Sequence, residues 1–379
     1  MASTSNKARK FGTPLFCAAW ASADSTDASV AHGISYAICG GGGGDSSSGL
    51  RNTLVLARYD ADSRELSEPL DTLFTDDDTA CAMAMHPNRK EFICSFPATE
   101  RHNGKLRLLR LTGGKNLRLE NVERELKPLQ DLGEQRTVKF SADGKLFAVG
   151  GQDGHLKVLK WPSLEVVLDR SDAHRSIKDL DFSLDGSFLA ATDDVGPSRI
   201  WDLKTASPAA ALPLNKAGFC CFSRDGARPC LYVTSAEDFK GYITTWNTKW
   251  KKVGSRKLAN EPISALTISP DGKLLAIGSS EGEVFILSAS KLSVLQRIKR
   301  AHMVFVTALD FSPDNRALLS VSGDSSARVT PCQTPQGWRT VVILWIILIA
   351  LLLALILSRR GSLEFFPSAS THSSEHDMI

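Results

Sequence analysis

Leu266 to Leu287 reads LTISPDGKLLAIGSSEGEVFIL, and Leu309 to Thr330 reads LDFSPDNRALLSVSGDSSARVT. Each is an apolar strand, a Ser-x-Asp turn closed by Gly or Asn, a second apolar strand, another turn and a third strand. The Asp-Gly step supplies the tight hairpin that needs positive φ. The same unit begins at Val138 (VKFSADGKLFAVGGQDGHLKVLKW), at Leu180 (LDFSLDGSFLAATDDVGPSRIWD) and at Phe219 (FCCFSRDGARPCLYVTS).

The turn aspartates stand at 143, 185, 225, 271 and 314, so the unit repeats every 40 to 46 residues. A period of that length with four short strands per unit is the signature of WD-type propeller blades. Two weaker units precede these five. One is MAMHPNRKEFICSF from Met83 with KLRLLRL from Lys105. The other is LFCAAW from Leu15 with SYAICGGGGG from Ser35 and TLVLARYD from Thr53. The expected fold is therefore all-β, a seven-bladed WD-repeat β-propeller over residues 13–330. Residues 1–12 read as a flexible N-terminus. The segment near Phe16 is expected to pair with the last blade near Val329, which removes the open edge. Asp60 to Thr79 is acidic and turn-rich and reads as an exposed loop.

Ala173-His174 and Ala301-His302 stand where a WD repeat has its Gly-His, and Trp201-Asp202 is the intact Trp-Asp pair. Both histidines are expected to be structural, bonded to a turn Asp of the same blade. Neither has the nucleophile and base around it that catalysis requires. The eight cysteines form no CxxC pair, so a zinc ribbon and a thioredoxin-like site are excluded, and buried, reduced thiols are expected.

The 379 residues carry 45 Lys+Arg against 42 Asp+Glu. That balance gives no case for nucleic acid, which asks for a basic excess or stripe. A hydrophobic fraction of 42% with 23% charged residues excludes wholesale disorder.

Val341 to Leu357 reads VVILWIILIALLLALIL, without a charge. At about 1.5 Å per residue it spans roughly 25 Å, and Thr340 and Ser358 extend it toward the hydrocarbon thickness. A soluble helix keeps a polar face, and this run has none. Residues 341–357 are expected to form a single transmembrane helix, after a tether at 331–340 and before a short lumenal tail at 358–379. No apolar signal peptide follows the polar start, which places the propeller in the cytosol. The arginine count, one before the span and two after, mildly favours the opposite orientation.

One stretch stands out for chemistry: Gly40-Gly41-Gly42-Gly43-Gly44-Asp45-Ser46-Ser47-Ser48-Gly49-Leu50-Arg51-Asn52, between two strands of the first blade. It is no P-loop, because no Gly-Lys-Ser/Thr leads into a helix. It is no dinucleotide fingerprint either, for lack of a βαβ unit. Two readings stay open: a flexible linker, or a loop of bare backbone that approaches a partner or wraps a cation with carbonyl oxygens. There is no GxSxG and no HExxH, so covalent enzyme chemistry is not expected.

A seven-bladed propeller, a Gly-rich first-blade loop ending in Gly-x-x-Asn and a C-terminal anchor resemble the Sec-twelve family, and the plant branch in particular. FCAAW from Phe16, KVLKWPSL from Lys157 and AHRSIKDLDFS from Ala173 carry that kinship. The resemblance implies a membrane-anchored guanine-nucleotide exchange factor, with no covalent chemistry of its own. Its partner would be the Sar-type small GTPase that starts COPII coat assembly at the endoplasmic reticulum membrane. It further implies a loop organised by potassium through Gly40, Gly41, Gly42, Gly43, Gly44 and Asp45, with Gly49, Leu50 and Asn52 acting in exchange. Leu50 and Arg51 stand where the family pattern has Ile and Pro. The intact Gly run argues against the related phosphate-transporter traffic facilitators. The competing class is a non-catalytic membrane scaffold that assists the exit of particular transporters.

Overall fold

The computed structural model describes residues 8–22, 34–44, 48–97, 104–113, 116–129, 133–214, 216–332 and 344–353. Seven four-stranded antiparallel sheets follow one another. Blade 1 is β2 (Leu15–Ala21), β3 (Ile34–Gly41), β4 (Thr53–Asp60) and β5 (Glu65–Phe74). Blades 2 to 6 run in order from β6 (Ala82–Met85) to β25 (Val294–Ile298), and each keeps the order inner to outer. Blade 7 joins β26 (Val306–Phe311), β27 (Ala317–Ser322) and β28 (Ser326–Pro331) to β1 (Arg9–Lys10).

The repeated turn explains why each blade starts the same way. Ser141 Oγ donates to Asp143 Oδ1 at 2.7 Å, Lys145 N donates to the same oxygen at 3.1 Å, and Leu146 N donates to Ser141 Oγ at 2.9 Å. Gly144 closes the turn at φ +73°. Ser183-Asp185, Ser269-Asp271 and Ser312-Asp314 repeat the serine-to-aspartate bond. The side chains thus satisfy the backbone groups that a tight turn leaves open.

The apolar alternation packs blade on blade. The described core falls into clusters that each straddle two neighbours: Phe92 and Leu109 of blade 2 meet Ile38 and Leu54 of blade 1, and Phe311 of blade 7 meets Ile286 of blade 6. His302 and His174 are both buried, as expected of structural residues. Nδ1 and Nε2 of His302 each pair with a serine hydroxyl, of Ser326 at 2.7 Å and Ser320 at 2.8 Å. His174 lies 3.4 Å from Asp193 and accepts from Trp201 Nε1. Burial holds both imidazoles near a pKa of about 4, so they are neutral at pH 7.

Four expectations need correction. The ring is closed by Arg9 and Lys10, opposite Ala327 and Ser326, so part of the segment read as flexible is a strand. The segment near Phe16 is instead the innermost strand of blade 1, where Trp20 donates its N–H and its Nε1–H to Asp310 of blade 7, both at 2.9 Å. Half of Asp60 to Thr79, Glu65–Phe74, is β5, the outer strand of blade 1. Its mostly exposed, acidic pattern has no apolar alternation, and Pro69 is tolerated because the strand is at an edge. All eight cysteines are free, and Cys81 is exposed rather than buried.

Residues 1–332 form one compact unit and residues 333–379 another. Of the second unit only residues 344–353 are described. They are helical, with apolar side chains that are about half exposed. Among the described residues no helix is long and apolar enough to cross a membrane. The remainder of the expected span, most of the tether and the tail lie outside them.

Candidate functional site

In an antiparallel blade the second-to-third strand connections and the links between blades share one end of the ring. The long connection between β3 and β4, residues 42–52, therefore lies at the same end as the links between blades.

Its base is held by backbone. Gly42 N donates to Pro14 O at 2.9 Å. A Cβ on Gly41 would lie 1.9 Å from that carbonyl oxygen, so the two chains can approach only if residue 41 is glycine. Gly40 and Gly41 belong to β3 and sit in register with Leu54 and Thr53 on one side and with Cys17 and Leu15 on the other. Their backbone takes part in the ladder. Of the expected ligand set, Gly42, Gly43 and Gly44 lie outside the ladder, and Asp45 lies outside the described residues.

Asn52 organises the rest. It is 2% exposed. Its Oδ1 accepts from Gly44 N at 3.1 Å and from Thr79 Oγ1 at 2.7 Å. Its Nδ2 donates to Gly44 O at 2.6 Å and to Asp76 O at 2.8 Å. Those four bonds fill the amide's capacity. The resemblance implies a contact residue at Asn52, but the structure makes Asn52 a buried clamp. It ties the near arm of the loop to the link into blade 2, where Thr75 N also donates to Asn52 O at 3.1 Å. Thr79 and the 75–79 link were not singled out by the sequence. The polar FTDDDTA run was their only signal, and it resembles any acidic loop.

Beyond the clamp lie residues 48–51, the described part of the far arm. Gly49 has φ +71°, and Leu50 follows it at 42% exposure. A Cβ on Gly43 would fall 2.6 Å from Leu50 Cβ and 2.3 Å from Ser48 Oγ, so the far arm folds back on Gly43. The Arg51 guanidinium lies 5.1 Å from the centroid of the Phe74 ring. Gly49, Leu50, Arg51, Phe74 and Asp76 line a cavity of about 480 Å³. The arrangement contains a braced loop and an exposed apolar residue, and among the described residues no group of three metal-ligating side chains. It is suited to contact with a partner surface.

The repeat is recognised by the model described as WD domain, G-beta repeat over residues 130–159, and by the anaphase-promoting complex subunit 4 WD40 domain over residues 236–314. SEC12-like protein 2 of Arabidopsis thaliana is 38% identical over 293 residues, covering 75% of this chain and 72% of that protein. The chain belongs to the SEC12-like family. SEC12-like protein 1 of the same plant is 34% identical, across 71% of this chain and 67% of its own length. The protein named guanine nucleotide-exchange factor SEC12 in Rattus norvegicus is 28% identical over 246 residues, 57% of this chain and 59% of that one. SEC12-like membership agrees with the propeller fold.

Proposed function

We propose that this SEC12-like chain is a guanine-nucleotide exchange factor for a Sar-type small GTPase in COPII vesicle formation. The observation that carries the reading is the 42–52 loop, braced at its base by Pro14 and Asn52 and ending in an exposed Leu50. Loop arms held in place before the encounter lose less conformational entropy on binding. The loop would wedge between the GTPase's switch segments and stabilise the nucleotide-free state, and free GTP would refill the site. Leu50 supplies the apolar contact, Gly49 the turn that projects it, and Asn52 acts as a positioning residue. A pure scaffold has no need of this clamp, so the scaffold reading is not favoured. Potassium enters in reduced form: Gly42, Gly43 and Gly44 would hold it, and the ion would supply positive charge for their carbonyls. Faster release in potassium than in N-methylglucamine would support that part, and equal rates would remove it.

Residues 341–357 would anchor the chain in the endoplasmic reticulum membrane, with the propeller in the cytosol and 358–379 in the lumen. The direct test is release of labelled GDP from a Sar-type GTPase with the full chain in detergent. Acceleration that scales with the chain's concentration is expected. A rate equal to the intrinsic one would overturn the exchange reading.

A further inference from the structure

Blades 4 and 7 carry the same corner. In blade 4, Ala173-His174 leads through Arg175 and Ser176 into β14 (Ile177–Phe182). In blade 7, Ala301-His302 leads through Met303, Val304 and Phe305 into β26. The two corners are bonded alike. Arg175 N donates to Asp193 Oδ2 at 2.8 Å, and Met303 N donates to Asp324 Oδ2 at 2.7 Å. His174 and His302 are both buried, and the next strands both begin with a fully buried residue, Ile177 and Val306.

The difference is on the outside. Blade 4 crosses the corner with an exposed arginine and a buried serine. Blade 7 uses one residue more, and all three are apolar: Met303 is 82% exposed, and Val304 and Phe305 are exposed too. Blade 4 shows that the fold closes this corner without an apolar surface. A rigid corner that presents three apolar side chains in a row is instead the pattern of an interaction site, where methionine and aromatics are enriched. The exposed Lys299 and Arg300 flank it.

This corner lies at the same end of the ring as the glycine-rich loop, because both are connections of that end. It is also joined to the loop through the chain. Asp324, which holds Met303, lies 3.7 Å from Lys10 Nζ, and Lys10 leads through Phe11 to Pro14, the acceptor for Gly42 N. We infer that Met303, Val304 and Phe305 form a second docking element for the same small GTPase, engaging an apolar patch with an acidic rim while the glycine-rich loop acts on the nucleotide site. This inference rests on the exchange reading for its partner.

The test uses the full chain in detergent with three changes: Met303→Arg alone, Met303→Arg with Phe305→Ser, and Val253→Ser as an exposed apolar control on an outer strand. Binding to the GTPase and GDP release are both titrated. The double variant should raise the half-saturating concentration about tenfold, with the maximal release rate within about twofold and an unchanged melting temperature. The single variant should move the same way by less, and the control should not move. If the unsubstituted chain binds the GTPase without releasing GDP, the exchange reading falls, and weaker binding by the double variant still upholds this inference. Equal binding by all variants, or no binding by the unsubstituted chain, overturns it. So does a change in oligomeric state at constant GTPase affinity, which would assign the corner to self-association.

Discussion

Blades 1 and 4 connect their second and third strands in opposite ways. Blade 4 crosses in four residues, 194–197, and blade 1 in eleven, 42–52. In blade 4 the organiser is a carboxylate. Asp193 accepts from Arg175 N, Val195 N at 2.8 Å and Gly196 N at 2.6 Å, with His174 beside it. Burial opposes its charge, yet those donors hold the carboxyl below its ordinary range. In blade 1 the organiser is a neutral amide, and Asn52 both donates and accepts. A carboxylate can only accept, which suits a short turn crowded with N–H groups. An amide can bridge a carbonyl and an N–H, which suits a long excursion that must be held at its base and presented at its tip. One blade position therefore serves stability in one place and presentation in the other.

The largest effect should come from Asp193→Ala. It leaves three backbone N–H groups without their acceptor and removes the carboxylate beside a buried histidine, and a loss of about 3 kcal/mol is expected by denaturant unfolding. GDP release per folded molecule should not change. A loss of release larger than the loss of folded protein would break the division between the two blades.

Acid should act on the histidine corners. Both His174 and His302 have a folded pKa lowered to about 4 from 6.5, so the unfolded chain binds protons first as pH falls. Stability is then fully present above pH 6.5 and declines toward pH 4, on the order of 3 kcal/mol per histidine at most. Around them stand Arg199 and Asp193, and Asp324, Arg328 and Lys10. His302→Gln keeps an amide partner for Ser320 and Ser326 and removes one titrating group. Melting temperatures between pH 7 and 5 should fall less steeply in that variant, and an unchanged slope would assign the acid response elsewhere.

Asn52→Asp is the smaller and sharper change. It keeps the shape, removes the donors to Gly44 O and Asp76 O, and sets a carboxylate against both carbonyls. Roughly 1–3 kcal/mol of stability should be lost, with GDP release reduced more than tenfold. A variant that releases GDP normally would show that the clamp does not position the loop.

The propeller was legible because its signals are local and repeated. Ser-x-Asp-Gly turns and apolar alternation recur, and each has a direct physical cause. The closing strand was not legible, since Arg9 and Lys10 are two polar residues whose pairing depends on a partner more than 300 positions away. β5 was missed because an exposed outer strand carries no apolar period. Within the candidate site, the glycine run and Asn52 were visible, but not their division of labour. Whether a glycine serves a ladder or a loop depends on its neighbours across the sheet, and Thr79 and Asp76 become partners only through the fold.

The most direct test of the account replaces residues 43–51 with the blade 4 connector Asp194-Val195-Gly196-Pro197 in the full chain, and measures GDP release beside thermal unfolding. The account predicts a propeller that unfolds within a few degrees of the parent and no longer accelerates release. A loop-swapped chain that still accelerates release would contradict it, because exchange would then belong to the propeller face and not to the loop.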